Sequence, residues 1–265
     1  MITAKIDMPV SLSVPTVRFV LVETSRPGNI GAAARAMKTM GFSDLVLVNP
    51  RFADALQQEE AVAFASGAQD VLQAARIVGT IGEALDGCNF AAAVSARLRE
   101  FSPPVWTPRK VATVFASQRQ LQAALVLGNE RFGLPNEIVT QCNVLINIPA
   151  NPAYSSLNLA QAVQVLAYEC RMAAMVDDDG DGADRTASVT SSFGSIGFQG
   201  AAADLNQIDG MYRHLEEALV AIDFLDPASP KKLMPRLKRL FARAGLETEE
   251  VNILRGIARQ ILASR

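Results

Sequence analysis

The chain has 265 residues, 49% of them hydrophobic, with 17 glycines, 13 prolines and a net charge of −2. That length can bury a substantial core as one large domain or as a domain with an appendage, and the composition excludes a wholly disordered chain. No apolar run reaches the length of a membrane span, and the N-terminus lacks a basic-then-apolar signal pattern. The three cysteines, Cys88, Cys142 and Cys170, are odd in number and far apart. They read as buried thiols of a reducing compartment, with neither a disulfide framework nor a zinc site, so the expected location is the cytoplasm.

Residues 1–16 read as a loose arm. Val17 to Glu23 is a short apolar run suited to a buried parallel strand. Thr24 to Asn29 is a turn, and Ile30 to Met40 is a helix that Gly41 stops. Leu45 to Val48 makes the next strand, closed by Asn49-Pro50, and Ile77-Val78 is a further short candidate. Phe90 to Val94 is a strand ending at Ser95-Ala96-Arg97, Pro108 to Ser117 is helical, and Ala123 to Leu127 is a strand. Pro135 to Gln141 is a short helix and Val144 to Ile148 the last strand. Leu159, Ala162, Val163, Leu166 and Cys170 then recur at spacings of three and four, one apolar face of a helix for which Ser155 or Ser156 would be the N-cap. Strands alternating with helices over residues 17–176 predict an α/β fold, a mostly parallel sheet covered on both faces.

Residues 177–203 are rich in Asp, Gly, Ser and Thr and read as a flexible acidic linker. Residues 204–265 carry helical patterns only: Leu205 to Phe224, Pro230 to Arg243, and Glu247 to Leu262 after Gly245. In the middle helix Lys232, Arg236, Arg239 and Arg243 share one face, with Leu233, Leu237 and Leu240 opposite. A basic face over an apolar face suits a phosphate backbone, and it equally describes an ordinary solvated amphipathic helix.

Three β-to-α turns carry unusual residues. In the first, Pro27 to Arg35, Gly28 and Gly31 permit close backbone approach and Asn29 is placed to cap the helix. Ala32, Ala33 and Ala34 keep that helix narrow, and Arg35 projects from it; the turn lacks a third phosphate-loop glycine and a Walker lysine. In the second, Leu127 to Pro135, Gly128 lets the strand turn sharply. Glu130 either ties the loop by an ion pair or serves chemistry at the sheet's carboxyl edge. The third is Asn151 to Asn158. Arg99, after the Phe90–Val94 strand, reads as a phosphate contact or as a solvated loop charge. His214 is the sole histidine and lies in the helical tail, which leaves the α/β part without a histidine-based triad or a histidine-rich metal site.

Asn29, Gly31 and Arg35 in an N-x-G-x-x-x-R pattern, then L-G-N-E-R-F-G-L at 127–134, then N-P-A-Y-S-S-L-N-L-A at 151–160 resemble the three motifs of the SPOUT-class RNA ribose 2′-O-methyltransferases. The extended third motif and helical tail are similar to the bacterial members that modify cytidine or uridine in the tRNA anticodon loop. The resemblance covers residues 17–175 closely and the tail more loosely.

The resemblance implies a C-terminal trefoil knot, an exception to the rule against knots. It implies S-adenosylmethionine as cofactor, bound bent by Val94, Ser95, Ala96, Gly128, Ile148, Ser155, Ser156 and Leu157, with no metal. It implies a homodimer and a tRNA substrate methylated on the ribose of a pyrimidine, nucleotide 32. Arg35 would approach the methyl group, in one copy or across the dimer, and contact RNA. Because guanidinium resists deprotonation, stabilising the developing alkoxide suits it better than acting as a literal base. Ser156 and Asn158 would orient Arg35 or the ribose, Glu130 would fix the loop, and the tail's basic face with Arg99 would grip RNA. Methylation of another tRNA or rRNA nucleotide, a knotted RNA-binding protein without activity, and an NAD-linked α/β enzyme are the alternatives. Intact Arg35, Ser156 and Asn158 weigh against the second, and the missing G-x-G-x-x-G against the third.

Overall fold

A computed structural model of the protein describes residues 16–99, 102–118, 120–178 and 201–264. Residues 1–15 and 179–200, most of the expected arm and linker, lie outside the described residues. The strands are β1 Val17–Val22, β2 Leu45–Val48, β3 Arg76–Val78, β4 Phe90–Val94, β5 Val105–Trp106, β6 Ala123–Leu127 and β7 Val144–Ile146. They form one sheet of seven in the order β3-β2-β1-β6-β4-β7-β5, and each of these neighbouring pairs is parallel. The helices are α1 Pro27–Thr39, α2 Glu59–Ala65, α3 Gln69–Ala74, α4 Ile81–Ala84, α5 Pro108–Ser117, α6 Asn136–Val139 and α7 Leu159–Asp178. The tail adds α8 Leu205–Ala221, α9 Leu233–Ala244 and α10 Thr248–Ala263.

Alternation along the strands divides their side chains between two cores. Phe19, Leu21, Leu45, Leu47, Leu125 and Leu127 pack with Ile30 and Met37 of α1, Phe115 of α5 and Leu166 of α7. Val20, Val22, Val46, Val48, Val126 and Leu145 pack on the opposite side with Val139 of α6 and Leu205. Burial of each such side chain contributes about 1.5–3 kcal/mol. Cys88, Cys142 and Cys170 are free and buried, as their isolation in the sequence predicts. Burial pushes the Cys142 and Cys170 thiols up to about 12.

Several boundaries differ from expectation for local reasons. Helix α1 starts at Pro27 and not at Ile30, because a proline with its φ already set begins a helix at no hydrogen-bonding loss. Its other end is a Schellman closure: Phe42 N–H donates to Met37 O (3.0 Å), Gly41 N–H to Lys38 O (3.1 Å), and Gly41 has φ 88°. Gly31 serves the contact with α2, since a Cβ there would lie 2.0 Å from the Ala61 carbonyl oxygen. Strand β7 ends at Ile146, and β5 escaped the sequence pattern because two residues after Pro103-Pro104 are too short for periodicity.

Helix α7 runs to Asp178, so Asp177 and Asp178 are helical although the sequence places them in the linker. At the linker's other end Ala203 is buried in the tail's own cluster with Met211, Tyr212, Leu225, Met234, Leu246 and Val251. The tail touches the α/β part where α8 begins. Leu205 N–H donates to Cys88 O (3.2 Å) and Asn206 Nδ2 to Asp86 Oδ1 (3.4 Å).

The basic helix also differs from its pattern. Lys232 sits at the N-cap in the left-handed conformation (φ 59°), outside the helical face that the sequence assigns to it. Arg236, Arg239 and Arg243 are exposed as expected. Leu240 is half-exposed at 50%, because Met234, Leu237 and Phe241 take the inward arc and leave it at the border with the arginines.

Candidate functional site

In a parallel sheet the loops that follow the strands leave from one edge, which is where α/β folds seat ligands. Strands β1, β6, β4 and β7 are consecutive neighbours, so the turns after them meet even though up to 129 residues separate the contacting side chains. The three motifs are therefore adjacent because of strand order, not chain distance.

A hydrogen-bonded string ties them together. The Glu130 carboxylate accepts from Ser25 N–H (2.9 Å), Ser25 Oγ (2.7 Å), Arg26 N–H (3.3 Å) and Asn29 Nδ2 (2.8 Å). Asn29 Oδ1 in turn accepts from Asn158 Nδ2 at 3.0 Å. Burial alone would raise the Glu130 pKa. Hydrogen bonds from Asn29 and Ser25 outweigh it and hold the carboxyl below its ordinary value. Glu130 is thus an ionised clasp between the first and second turns, without the free basic oxygen that a proton acceptor needs.

Asn29 lies in the first turn of α1 and bridges Glu130 and Asn158, where the sequence suggests a cap; the N-cap position is Arg26, with no side-chain cap. Asn158, not Ser155 or Ser156, closes the start of α7. Its Oδ1 accepts from Ala160 N–H (2.9 Å) and its own N–H donates to Gln161 Oε1 (3.2 Å), a reciprocal cap. Two serines in a polar stretch hide this assignment, because either hydroxyl suits a cap and only the backbone path decides.

The second turn folds back on itself: Gly133 N–H donates to Asn129 O (2.8 Å), and Asn129 Nδ2 donates to Glu23 O (2.6 Å). A Cβ on Gly128 would lie 2.2 Å from the Gly133 carbonyl carbon, so only glycine fits there. Asn147 Nδ2 reaches Ser95 O (3.1 Å) and joins the loops after β4 and β7.

Two cavities open at this edge. The first is lined by Val94, Ser95, Ala96, Gly128, Ile148, Ser155, Ser156 and Leu157, the full set that the sequence assigns to the cofactor, together with Arg97, Arg99 and Leu127. Apolar side chains and backbone form much of its wall, and Arg99 Nη1 is buried there without a hydrogen-bond partner. The Arg99 Nη2 group donates to the Leu134 carbonyl. Burial and then the neighbouring Arg97 charge lower the Arg99 pKa. Arg99 is thus partly buried at the cavity wall, and not the freely solvated loop charge that is the alternative to a phosphate contact.

The second cavity, about 730 Å³, is lined by Ser25, Arg26, Asn29, Arg51, Tyr154 and Asn158, and it shares Glu130, Arg131, Phe132, Ser156 and Leu157 with the first. Arg26, Arg51, Phe132 and Tyr154 were not picked out from the sequence. The available signal was position alone, Arg26 and Arg51 each lying just past the carboxyl end of a strand.

Arg35 is exposed on α1 and lines neither cavity of its own chain. It has no hydrogen-bond or ion-pair partner among the described residues, so within one copy neither Ser156 nor Asn158 bonds it, and of the two roles the resemblance implies for them, orienting Arg35 or the ribose, the second needs no such bond. Lys232, Arg236, Arg239 and Arg243 lie in the tail and line neither cavity. His214, expected to be a packed helix residue, is half-buried on α8.

Residues 16–168 match the SpoU rRNA Methylase family, and residues 206–265 match the C-terminal domain of the tRNA methyltransferase TrmJ. The chain is 45% identical over 243 residues, 91% of each chain, to the tRNA (cytidine/uridine/adenosine-2′-O-)-methyltransferase TrmJ of Pseudomonas aeruginosa. It is 42% identical to the tRNA (cytidine/uridine-2′-O-)-methyltransferase TrmJ of Cronobacter sakazakii, over 94% of this chain and 97% of that one. The crystal structure of TrmJ from Z. mobilis ZM4 superposes with a TM-score of 0.76 at 31% identity, covering 92% of this chain and 98% of the other.

Proposed function

The chain belongs to the SpoU methylase family and carries the C-terminal domain of the TrmJ enzymes, and from that premise we propose that it is a tRNA 2′-O-methyltransferase using S-adenosylmethionine. The finer reading is transfer to the ribose of a pyrimidine in the anticodon loop, nucleotide 32, by a cytoplasmic homodimer whose sheet carries the family's trefoil knot. The observation that carries the proposal is the convergence of all eight expected donor-site residues on one cavity beside a second, arginine-lined one.

The residues of the first cavity fit the donor. Ile148, Leu157 and Val94 give an apolar, backbone-lined surface for a purine, while Arg97 and the unpartnered Arg99 Nη1 suit a carboxylate. Bound there, S-adenosylmethionine supplies a sulfonium methyl group open to in-line displacement.

The residues of the chain then position and stabilise. For a ribose 2′-oxygen to take that methyl group its proton would pass to solvent, and the residues of the chain would hold the oxygen in line and steady its developing negative charge. Ser156 lines both cavities and its hydroxyl is free of partners among the described residues, which suits it to the ribose. Asn158 and Glu130 hold the turns in register. Arg35 stabilises the developing charge from the second copy, a placement supported by its exposure and its lack of partners among the described residues. Tyr168, Met172 and Met175 form an exposed apolar seam on α7 suited to a dimer contact.

Calorimetry with S-adenosylmethionine and with NAD, paired with tritiated-methyl transfer to unmodified tRNA, tests this. Donor binding, no NAD binding and label in the RNA are expected. NAD binding, or no label in RNA, would overturn it.

A further inference from the structure

The second cavity has its own chemistry. Arg26, Arg51 and Arg131 bring three guanidinium groups to its rim, none ion-paired among the described residues. The one carboxylate in its wall, Glu130, is already occupied by four donors from the first turn. The rim is therefore cationic, and it suits an anion.

It also displays an aromatic ring. Tyr154 is 80% exposed. Its position is built, because Tyr154 N–H donates to Asn151 O (2.9 Å) and Ala153 N–H to Asn151 Oδ1 (3.0 Å), closing a tight turn under the ring. Arg51 is likewise placed: its N–H donates to Thr24 O (3.1 Å) and its guanidinium lies 5.1 Å from the Phe52 ring centroid. Phe132, 72% exposed with the Arg131 guanidinium 5.2 Å from its centroid, lines both cavities and stands at their common wall.

A flat exposed ring beside unpaired guanidinium groups is the chemistry that recognises an unstacked base and its phosphates in single-stranded RNA. The volume of about 730 Å³ lies within the range of pockets that enclose small-molecule ligands. Resting on the methyltransferase reading above, we propose that this cavity seats one unstacked nucleotide of the substrate loop, with its base stacked on Tyr154 and its flanking phosphates held by Arg26 and Arg51. Tyr154 acts here as a substrate-positioning residue and Arg51 as a phosphate contact. The donor cavity includes neither.

The test uses the full chain, unmodified tRNA and three variants, Tyr154→Ala, Tyr154→Phe and Arg51→Ala. Tyr154→Ala is expected to raise KM for tRNA roughly tenfold or more, with S-adenosylmethionine affinity by calorimetry unchanged, and Tyr154→Phe to restore wild-type KM because the ring remains. Arg51→Ala is expected to weaken tRNA binding and to reduce the slope of log K against log salt by about one phosphate contact. An unchanged KM in Tyr154→Ala, a Tyr154→Phe variant as impaired as Tyr154→Ala, an unchanged salt slope in Arg51→Ala, or lost donor binding in any of the three would overturn the proposal. Failure of the wild-type protein to methylate tRNA would instead remove the functional reading on which it rests.

Discussion

At the sheet edge, Asn29, Glu130 and Asn158 come from three separate turns and meet through hydrogen bonds of 2.8 and 3.0 Å. In the tail, three helices close on a small apolar cluster around Met211 and Val251, and Arg236, Arg239 and Arg243 point into solvent. The first region depends on a few polar contacts that each fix a direction. The second depends on burial, and its exposed charges act at long range and without strict geometry. Substitutions at the edge should therefore switch chemistry off, and substitutions on the tail should turn affinity down by degrees.

The sharpest way to break that contrast is Arg35→Ala. It should lower transfer at least a hundredfold, the scale of losing one charge-stabilising donor, while calorimetry finds S-adenosylmethionine affinity nearly intact. Near-normal turnover would remove Arg35 from the chemistry. Next, replacing Arg236, Arg239 and Arg243 together by alanine should weaken tRNA binding about tenfold or more at physiological salt and flatten its salt dependence, with donor binding untouched. A wild-type tRNA affinity would make α9 a merely solvated helix.

At the edge, Asn158→Ala removes both the cap of α7 and the bond to Asn29. It should destabilise the protein by about 1–3 kcal/mol in denaturant titration and reduce turnover more than donor affinity. The smallest effect is a pH dependence. The Glu130 carboxyl is held below its ordinary value near 4.5. Its contribution to stability is therefore present above that value and is lost as pH falls through the depressed one. The difference in Tm between wild type and Glu130→Gln should be largest above pH about 4.5 and shrink in acid. A difference independent of pH would mean that the charge of Glu130 does not hold the turns.

The same contrast decides what could be read from the sequence. Short buried strands such as Leu45–Val48 and Ala123–Leu127 were legible to the residue, because Ser43-Asp44 and Asn49-Pro50 bound the first run and polar Gln122 and Gly128 bound the second. The eight residues expected at the cofactor, drawn from the second and third motifs and from the ends of two strands, were legible as a set and all line one cavity. The start of α7 was not, since Ser155, Ser156 and Asn158 are all competent caps and only the backbone path selects Asn158. The partial burial of Arg99 was not legible, because it comes from the Leu134 loop, which is 35 residues away. Arg51 stayed silent because it belongs to no motif or periodic pattern, and Tyr154, although inside the third motif, had no role of its own to read until strand order brought both to one cavity. Leu240 misled for a simpler reason, lying at the margin of a helical face where a wheel cannot assign it.

The central claim is that this sheet edge transfers a methyl group to one ribose of the tRNA anticodon loop. Mapping the 2′-O-methyl nucleotides gained by unmodified tRNA on incubation with the protein and S-adenosylmethionine tests it most directly. The account predicts a single new 2′-O-methylated pyrimidine, at nucleotide 32, absent with Arg35→Ala. A methyl group on a base, on a ribose outside the anticodon loop, or on no nucleotide at all would contradict it.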